Sequence, residues 1–289
     1  MKLWKMVILA GMFTANSFGM NKVIYGEDNR LDIFEVTNSM HLRLAKATAG
    51  KVANYNLDEQ VNGTYKMTGS RLNVCDGDKF DNQITSATCS GFLVESNGKE
   101  YLVTAGHCIN SDRECSSHKW VFDYALNDAS QKDIYVGKDS VYSCKRLVER
   151  KLESSTGADY AVLELDRKVT GREPLRVRKT GAIENGDEIL VIGHPTGLPS
   201  KVAGDAFVRD SSKSAYFETN LDTFAGNSGS AVFNARTGDV EGILVRGHTD
   251  YKSSRDSNGN YCRTPVVCEM DSCRGEDVTK ITIIKEFQE

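Results

Sequence analysis

Three short stretches of this 289-residue chain hold side chains that could share a proton. "GNSGS" sets Ser228 among glycines, "YLVTAGHC" ends an apolar run on His107, and "GADYAVLELD" places Asp159 immediately before another apolar run. A serine hydroxyl attacks an acyl carbon only when a base takes its proton, an anion orients that base, and donors receive the oxyanion that forms. His107 is the candidate base, because the histidines at 41, 118, 194 and 248 have no comparable surroundings. Asp159 is the candidate orienting carboxylate. Gly226 can adopt a backbone conformation closed to other residues, which would aim the N–H groups of Gly226 and Ser228 at one point as an oxyanion hole. Each stretch alone has a plainer reading: a tight structural turn, a solvated loop histidine, a surface aspartate at a strand start.

The elements that must position these groups are mostly short strands. "GFLVESNGKEYLVTAGHC" is two apolar runs around Asn97-Gly98, a hairpin signal because both turn residues tolerate positive φ. "DYAVLELD" alternates, with Ala161, Leu163 and Leu165 on one face and Tyr160, Val162 and Glu164 on the other. "DEILVIG" and "SAVFNARTGDVEGILVRG" add strands, the second stretch a hairpin turning near Thr237-Gly238. Ahead of them, "VIYGEDNRLDIFEVTN" reads as an extended arm. Leu42, Ala45, Ala49, Val52 and Ala53 then recur at helical spacing behind a cap at Asn38 or Ser39. "EDVTKITIIKEFQE" suits helix by its spacing and strand by its β-branched content. Many short strands with few helices predict an all-β chain of closed or sandwiched antiparallel sheets. The expected division is a signal peptide over 1–19, an arm and helix over 20–74, a first β-domain over 75–168 and a second over 169–289.

With 39% apolar and 26% charged residues the chain can bury a substantial core. "MKLWKMVILAGMFTANSFGM" has Lys2 and Lys5 ahead of an apolar run from Met6 to Phe13, then small residues at cleavage positions, which reads as a signal peptide. That run is well short of the roughly 20 residues of a spanning helix, so a secreted or periplasmic protein without a stable membrane anchor is expected. The net charge of −4, with no basic stripe, argues against nucleic acid as a partner. Eight cysteines in an exported chain predict disulfides, the cluster "CRTPVVCEMDSC" included, because its spacing fits no common zinc pattern. "DSNGN" loosely resembles a calcium loop but lacks a terminal bidentate acid, so neither a metal nor a cofactor is expected.

Together, "TAGHC", "GADYAVLELD" and "GNSGSAVF" resemble the catalytic motifs of chymotrypsin-fold, trypsin-like serine peptidases, in the chain order His, Asp, Ser. α/β-hydrolases place their histidine last, and "GNSGS" lacks the second glycine of their elbow. Asn227 before the serine, and "VIYGEDNR" as a mature start, are similar to the bacterial secreted branch that includes glutamyl endopeptidases. The resemblance covers residues 23 to about 250. It implies two packed antiparallel β-barrels, an active site between them, a His107–Asp159–Ser228 triad, and a bridge between Cys89 and Cys108 that steadies the base.

A monomeric exported serine endopeptidase acting on protein or peptide substrates is the resulting expectation. A catalytically inactive binding module of the same fold is the alternative. For substrate binding, Asp222 lies six residues before the nucleophile, where trypsin-like enzymes keep the acid that binds Arg or Lys, so a basic P1 preference is slightly favoured. A structural hydrogen bond is the competing role for Asp222. Leu244 stands where glutamyl endopeptidases keep a histidine, which weakens a glutamate preference. Thr223 and Arg246 are further candidate lining residues. Asn227 cannot form the ion pair with a new N-terminal ammonium that activates the animal enzymes, although cleavage after Lys22 would leave Val23 first.

Overall fold

The computed structural model describes residues 23–288. The signal-peptide reading and Lys22 lie outside the described residues. Two six-stranded antiparallel barrels account for most of the chain. The first is made of β1 (Thr48–Ala53), β2 (Ala87–Ser96), β3 (Lys99–Thr104), β4 (His118–Phe122), β5 (Val141–Glu153) and β6 (Ala158–Leu165). Its strands close in the order β4-β5-β6-β3-β2-β1. The second is made of β7 (Glu188–Gly193), β8 (Lys201–Asp210), β9 (Tyr216–Thr219), β10 (Ala231–Asn234), β11 (Val240–Arg246) and β12 (Glu276–Lys280). It runs β7-β10-β11-β12-β9-β8 and closes by pairing β7 with β8. Closure leaves few free sheet edges.

Local sequence explains several of these elements. Asn97 and Gly98 both take positive φ between β2 and β3, the hairpin turn their residue types favour. Helix α1 spans Ser39–Lys46, and the Asn38 side chain accepts the Met40 and His41 N–H groups. The helix is shorter than its apolar spacing predicts. Ala49, Val52 and Ala53 lie on β1, a strand buried along its whole length. A strand covered on both faces shows no polar alternation, so its apolar residues fit a helical pattern equally well. The first barrel consequently begins at Thr48, well before the expected boundary at 75.

Each barrel has its own interior. Leu93, Leu102, Trp120 and Leu163 are fully buried on one face of the first. Val191, Phe217, Val232 and Leu244 fill the second. Burial of each such side chain contributes about 1.5–3 kcal/mol. The ambiguous C-terminal stretch is a strand, β12, followed by 3-10 turns at Ile281–Ile283 and Lys285–Phe287. Those turns return to the first barrel, where Phe287 packs edge-on against Tyr101 and the Tyr101 hydroxyl donates to Glu286 at 2.7 Å. The N-terminal arm pairs with the second barrel through Leu31–Asp32 against β8, and its Ile24–Tyr25 forms a separate two-stranded sheet with Val267–Cys268, in the segment between β11 and β12.

Four disulfides use all eight cysteines: Cys75–Cys262, Cys89–Cys108, Cys115–Cys144 and Cys268–Cys273. The "CRTPVVCEMDSC" sulfurs are therefore bridged and offer no thiolate to a metal. In "DSNGN", Asp256 Oδ1 accepts the N–H groups of Asn258 and Asn260, which makes the segment an exposed turn closed on itself.

Candidate active site

Strand register brings the candidate base and the candidate carboxylate together. Ala161 pairs with Thr104, so residues just before Ala161 run beside those just after Thr104. Gly106–Cys108 forms one turn of 3-10 helix there. A Cβ at Gly106 would sit 2.3 Å from the Lys151 carbonyl oxygen and 2.8 Å from that of Tyr160. Only glycine allows so close an approach. Asp159, 4% exposed, holds the next residue at two points. Its Oδ2 lies 2.7 Å from His107 Nδ1, and its Oδ1 accepts the His107 backbone N–H at 3.0 Å. A carboxylate acceptor assigns the ring proton to Nδ1 and leaves the lone pair on Nε2. Among the described residues Nε2 is buried and has no hydrogen-bond partner.

The Ser228 turn belongs to the second barrel but rests on the first. Gly226 and Gly229 have φ of 94° and 90°, values closed to most side-chain-bearing residues. The Ser228 carbonyl accepts the Ser90 N–H at 2.8 Å. It also packs 3.6 Å from Cys108 Sγ. That sulfur is bridged to Cys89 and has no proton, so this is a contact rather than a hydrogen bond. Cys108 follows His107 directly, and the turn and the base thus meet at one end of the first barrel. The Ser228 hydroxyl donates to the Val245 carbonyl at 3.4 Å. In this conformation it is turned toward β11 and not bonded to Nε2. The Ala225 carbonyl accepts the Thr196 N–H at 2.5 Å. In a trans peptide the Gly226 N–H then points the opposite way, and it meets no acceptor among the described residues.

Beside this constellation lies a cavity of 570 Å³, with His107, Asp159 and Leu152 on the first barrel and Val245, Arg246 and Gly247 on the second. Arg246 crosses it, pairing with buried Asp277 at 2.7 Å and reaching the Gly157 carbonyl at 3.3 Å. Arg274 shares Asp277 at 2.5 Å and lies at the same wall.

Of the four candidate substrate-binding residues, only Arg246 reaches that wall. Asp222 is 1% exposed, and its two oxygens accept the Tyr25 N–H at 2.6 Å and the Asn29 N–H at 3.1 Å. Burial pushes its carboxyl up to about 7 against the pull of those two bonds. This geometry matches the competing role, a structural hydrogen bond, and Asp222 does not line the cavity. Position along the chain does not fix side-chain direction, and here the arm supplies donors on the other side. The Thr223 hydroxyl donates to buried Glu276 at 2.6 Å, and Leu244 packs inside the second barrel. Asn227 has no ion pair. Its N–H donates to the Phe224 carbonyl at 2.9 Å and its Oδ1 accepts from Ser230 Oγ at 3.2 Å.

Sequence reading passed over Ser90, Arg274, Glu276 and the His194–Gly197 turn. The available signal was "HPTG", a proline and glycine directly after an apolar strand, which marks a tight turn. His194 is fully buried and stacked on Tyr124 at 5.3 Å, and burial lowers its pKa to about 4.

Residues 89–243, more than half of the chain, match the trypsin-like peptidase domain. No curated protein sequence matches this chain. Among solved structures, the VesB protease of Vibrio cholerae is similar with a TM-score of 0.53 at 14% identity, over 92% of this chain and 66% of VesB. The chain thus spans just under two thirds of that protease, and the likeness is one of fold. The serine endoprotease of Yersinia pestis matches with a TM-score of 0.44 at 18% identity, over 73% of this chain and 58% of its own. Two closed antiparallel barrels, with a domain match that contains His107, Asp159 and Ser228, place this chain in the trypsin-like peptidase family, with a chymotrypsin-like fold.

Proposed function

We propose that this chain is an exported serine endopeptidase that cleaves protein or peptide substrates through an acyl-enzyme on Ser228. The observation that carries the reading is the double hold of Asp159 on His107, which leaves Nε2 as the one ring nitrogen open to a substrate-side proton. In the first step Ser228 Oγ attacks the scissile carbonyl carbon while Nε2 takes the hydroxyl proton. The oxyanion is received by the N–H groups of Gly226 and Ser228. The C–N bond then breaks, and the proton on Nε2 passes to the leaving amine. Water attacks the resulting ester with Nε2 again as base, which releases the acid and restores the Ser228 hydroxyl. Asp159 holds the ring and stabilises its charged form in both halves.

For the first step the Ser228 hydroxyl must turn from the Val245 carbonyl to Nε2. Such bonds commonly tighten only when substrate is bound. Four disulfides support an oxidising, extracytoplasmic location. The test is hydrolysis of a mixed peptide library by the purified protein. Ser228→Ala and His107→Ala are each expected to lower turnover by about 10⁶-fold. Turnover that survives in either variant contradicts the proposal.

A further inference from the structure

We infer that Ser90 is a positioning residue for the oxyanion turn, taking the place of the ion pair that Asn227 cannot make. This rests on the triad reading above. The hydroxyl of Ser90, on β2 and fully buried, donates to the Gly226 carbonyl at 2.8 Å and accepts the His194 N–H at 2.9 Å. Its N–H donates to the Ser228 carbonyl at 2.8 Å. Its carbonyl accepts the Thr104 hydroxyl at 2.6 Å and lies where a Cβ on Gly229 would come within 2.0 Å. One residue of the first barrel thus meets Gly226, Ser228 and Gly229 of the second.

The physical need for such a hold comes from Gly226 itself. A glycine permits the turn and equally permits leaving it, so nothing intrinsic fixes the two peptides on either side. Both are fixed from outside. The Ala225 carbonyl is tied to the Thr196 N–H, which sends the Gly226 N–H the other way, and the Gly226 carbonyl is tied to the Ser90 hydroxyl. The His194 N–H aims the same hydroxyl, so the His194–Gly197 turn acts on both peptides. Loss of the hydroxyl leaves a buried carbonyl and a buried N–H without partners, and the Gly226–Asn227 peptide is then held only through the Asn227 N–H on the Phe224 carbonyl, one tie where there were two. Ser90 also follows Cys89, whose disulfide reaches the residue after His107. The base and the oxyanion donors are therefore both referenced to one stretch of β2.

The test is the pseudo-first-order rate at which a fluorophosphonate in excess labels the protein, across pH, a rate that does not depend on how much protein is folded. Removing a whole oxyanion donor costs about 10²–10³-fold in other enzymes, and a donor that is merely misdirected should cost less. Ser90→Ala is expected to label about 10- to 100-fold more slowly with the pH midpoint unchanged, and Ser90→Thr, which keeps a hydroxyl, to recover most of that rate. Ser90→Gly gives a second reading of the hydroxyl's loss. Rates for Ser90→Ala and Ser90→Gly near wild type overturn the inference, as does a Ser90→Thr no faster than Ser90→Ala. A shifted midpoint also overturns it, because Ser90 would then act through His107. Wild-type protein that does not label, or label that persists in Ser228→Ala, overturns the triad reading itself.

Discussion

Asp159, at the start of β6, and Asp222, ahead of the nucleophile turn, are matched in burial and in bonding. They are 4% and 1% exposed, and each accepts two hydrogen bonds. What separates them is the partner. Asp159 holds the ring of His107, a residue that lines the cavity between the barrels, whereas Asp222 holds two backbone N–H groups of the N-terminal arm. A buried acid acts in catalysis only through a group that can change charge or reach substrate; otherwise it is a structural clasp.

Substituting the two aspartates should break them apart. Asp159→Asn is expected to lower turnover by about 10⁴-fold, because the amide favours the wrong ring tautomer while leaving the fold intact. Asp222→Asn should leave turnover within about tenfold, a margin well below what a triad member costs. Similar losses in the two variants would contradict the distinction.

A smaller effect concerns the bridge beside the base. Replacing Cys89 and Cys108 with alanine opens a crosslink between residues 19 apart and should lower stability by about 3 kcal/mol in denaturant melts. Activity should fall further than stability alone explains, since His107 adjoins the bridge. A variant that loses stability and keeps full turnover would show that the hydrogen bonds of Asp159 suffice to hold the ring.

Asp222 and His194 should tilt stability in opposite directions over the same pH range. The Asp222 carboxyl titrates near 7, above its unfolded value of about 3.9, so its contribution is complete below about pH 4 and is lost as pH rises through 7. His194 titrates near 4, below an unfolded value of about 6.5, so its contribution is complete above that value and is lost as pH falls through 4. Relative to wild type, Asp222→Asn should gain stability as pH rises from 4 to 7, and His194→Gln should lose it. Each unit of pKa shift corresponds to about 1.4 kcal/mol, so differences of a few kcal/mol bound the effect. Variant and wild-type curves that stay parallel would contradict both assignments.

The smallest expected change is in P1 profiling. Asp222→Asn should leave side-chain preference as it is in wild type. A preference for Arg or Lys that vanishes in this variant would return the carboxylate to a substrate pocket.

Features encoded by neighbouring residues were legible in the sequence. The Asn97-Gly98 turn and the Asn38 cap depend on residues within a few positions, as does the local shape of "GNSGS". The three motifs, read together, also pointed to the barrels that carry them. Features set by distant partners were not legible. The direction of Asp222 depends on Tyr25, 197 positions away, and the role of Ser90 on Gly226, 136 positions away. Strand β1 was hidden for a different reason: burial on both faces removes the alternation that identifies a strand. The Cys89–Cys108 bridge was expected through resemblance, while the Cys75–Cys262 bridge links residues 187 apart that no local pattern pairs.

The proposed transfer of a proton from Ser228 to His107 is most directly tested by mass spectrometry of the purified protein after treatment with a fluorophosphonate. A single adduct on the peptide that contains Ser228, absent from His107→Ala, is the expected result. An adduct on another residue, or equal labelling without His107, would contradict a nucleophile activated by that imidazole.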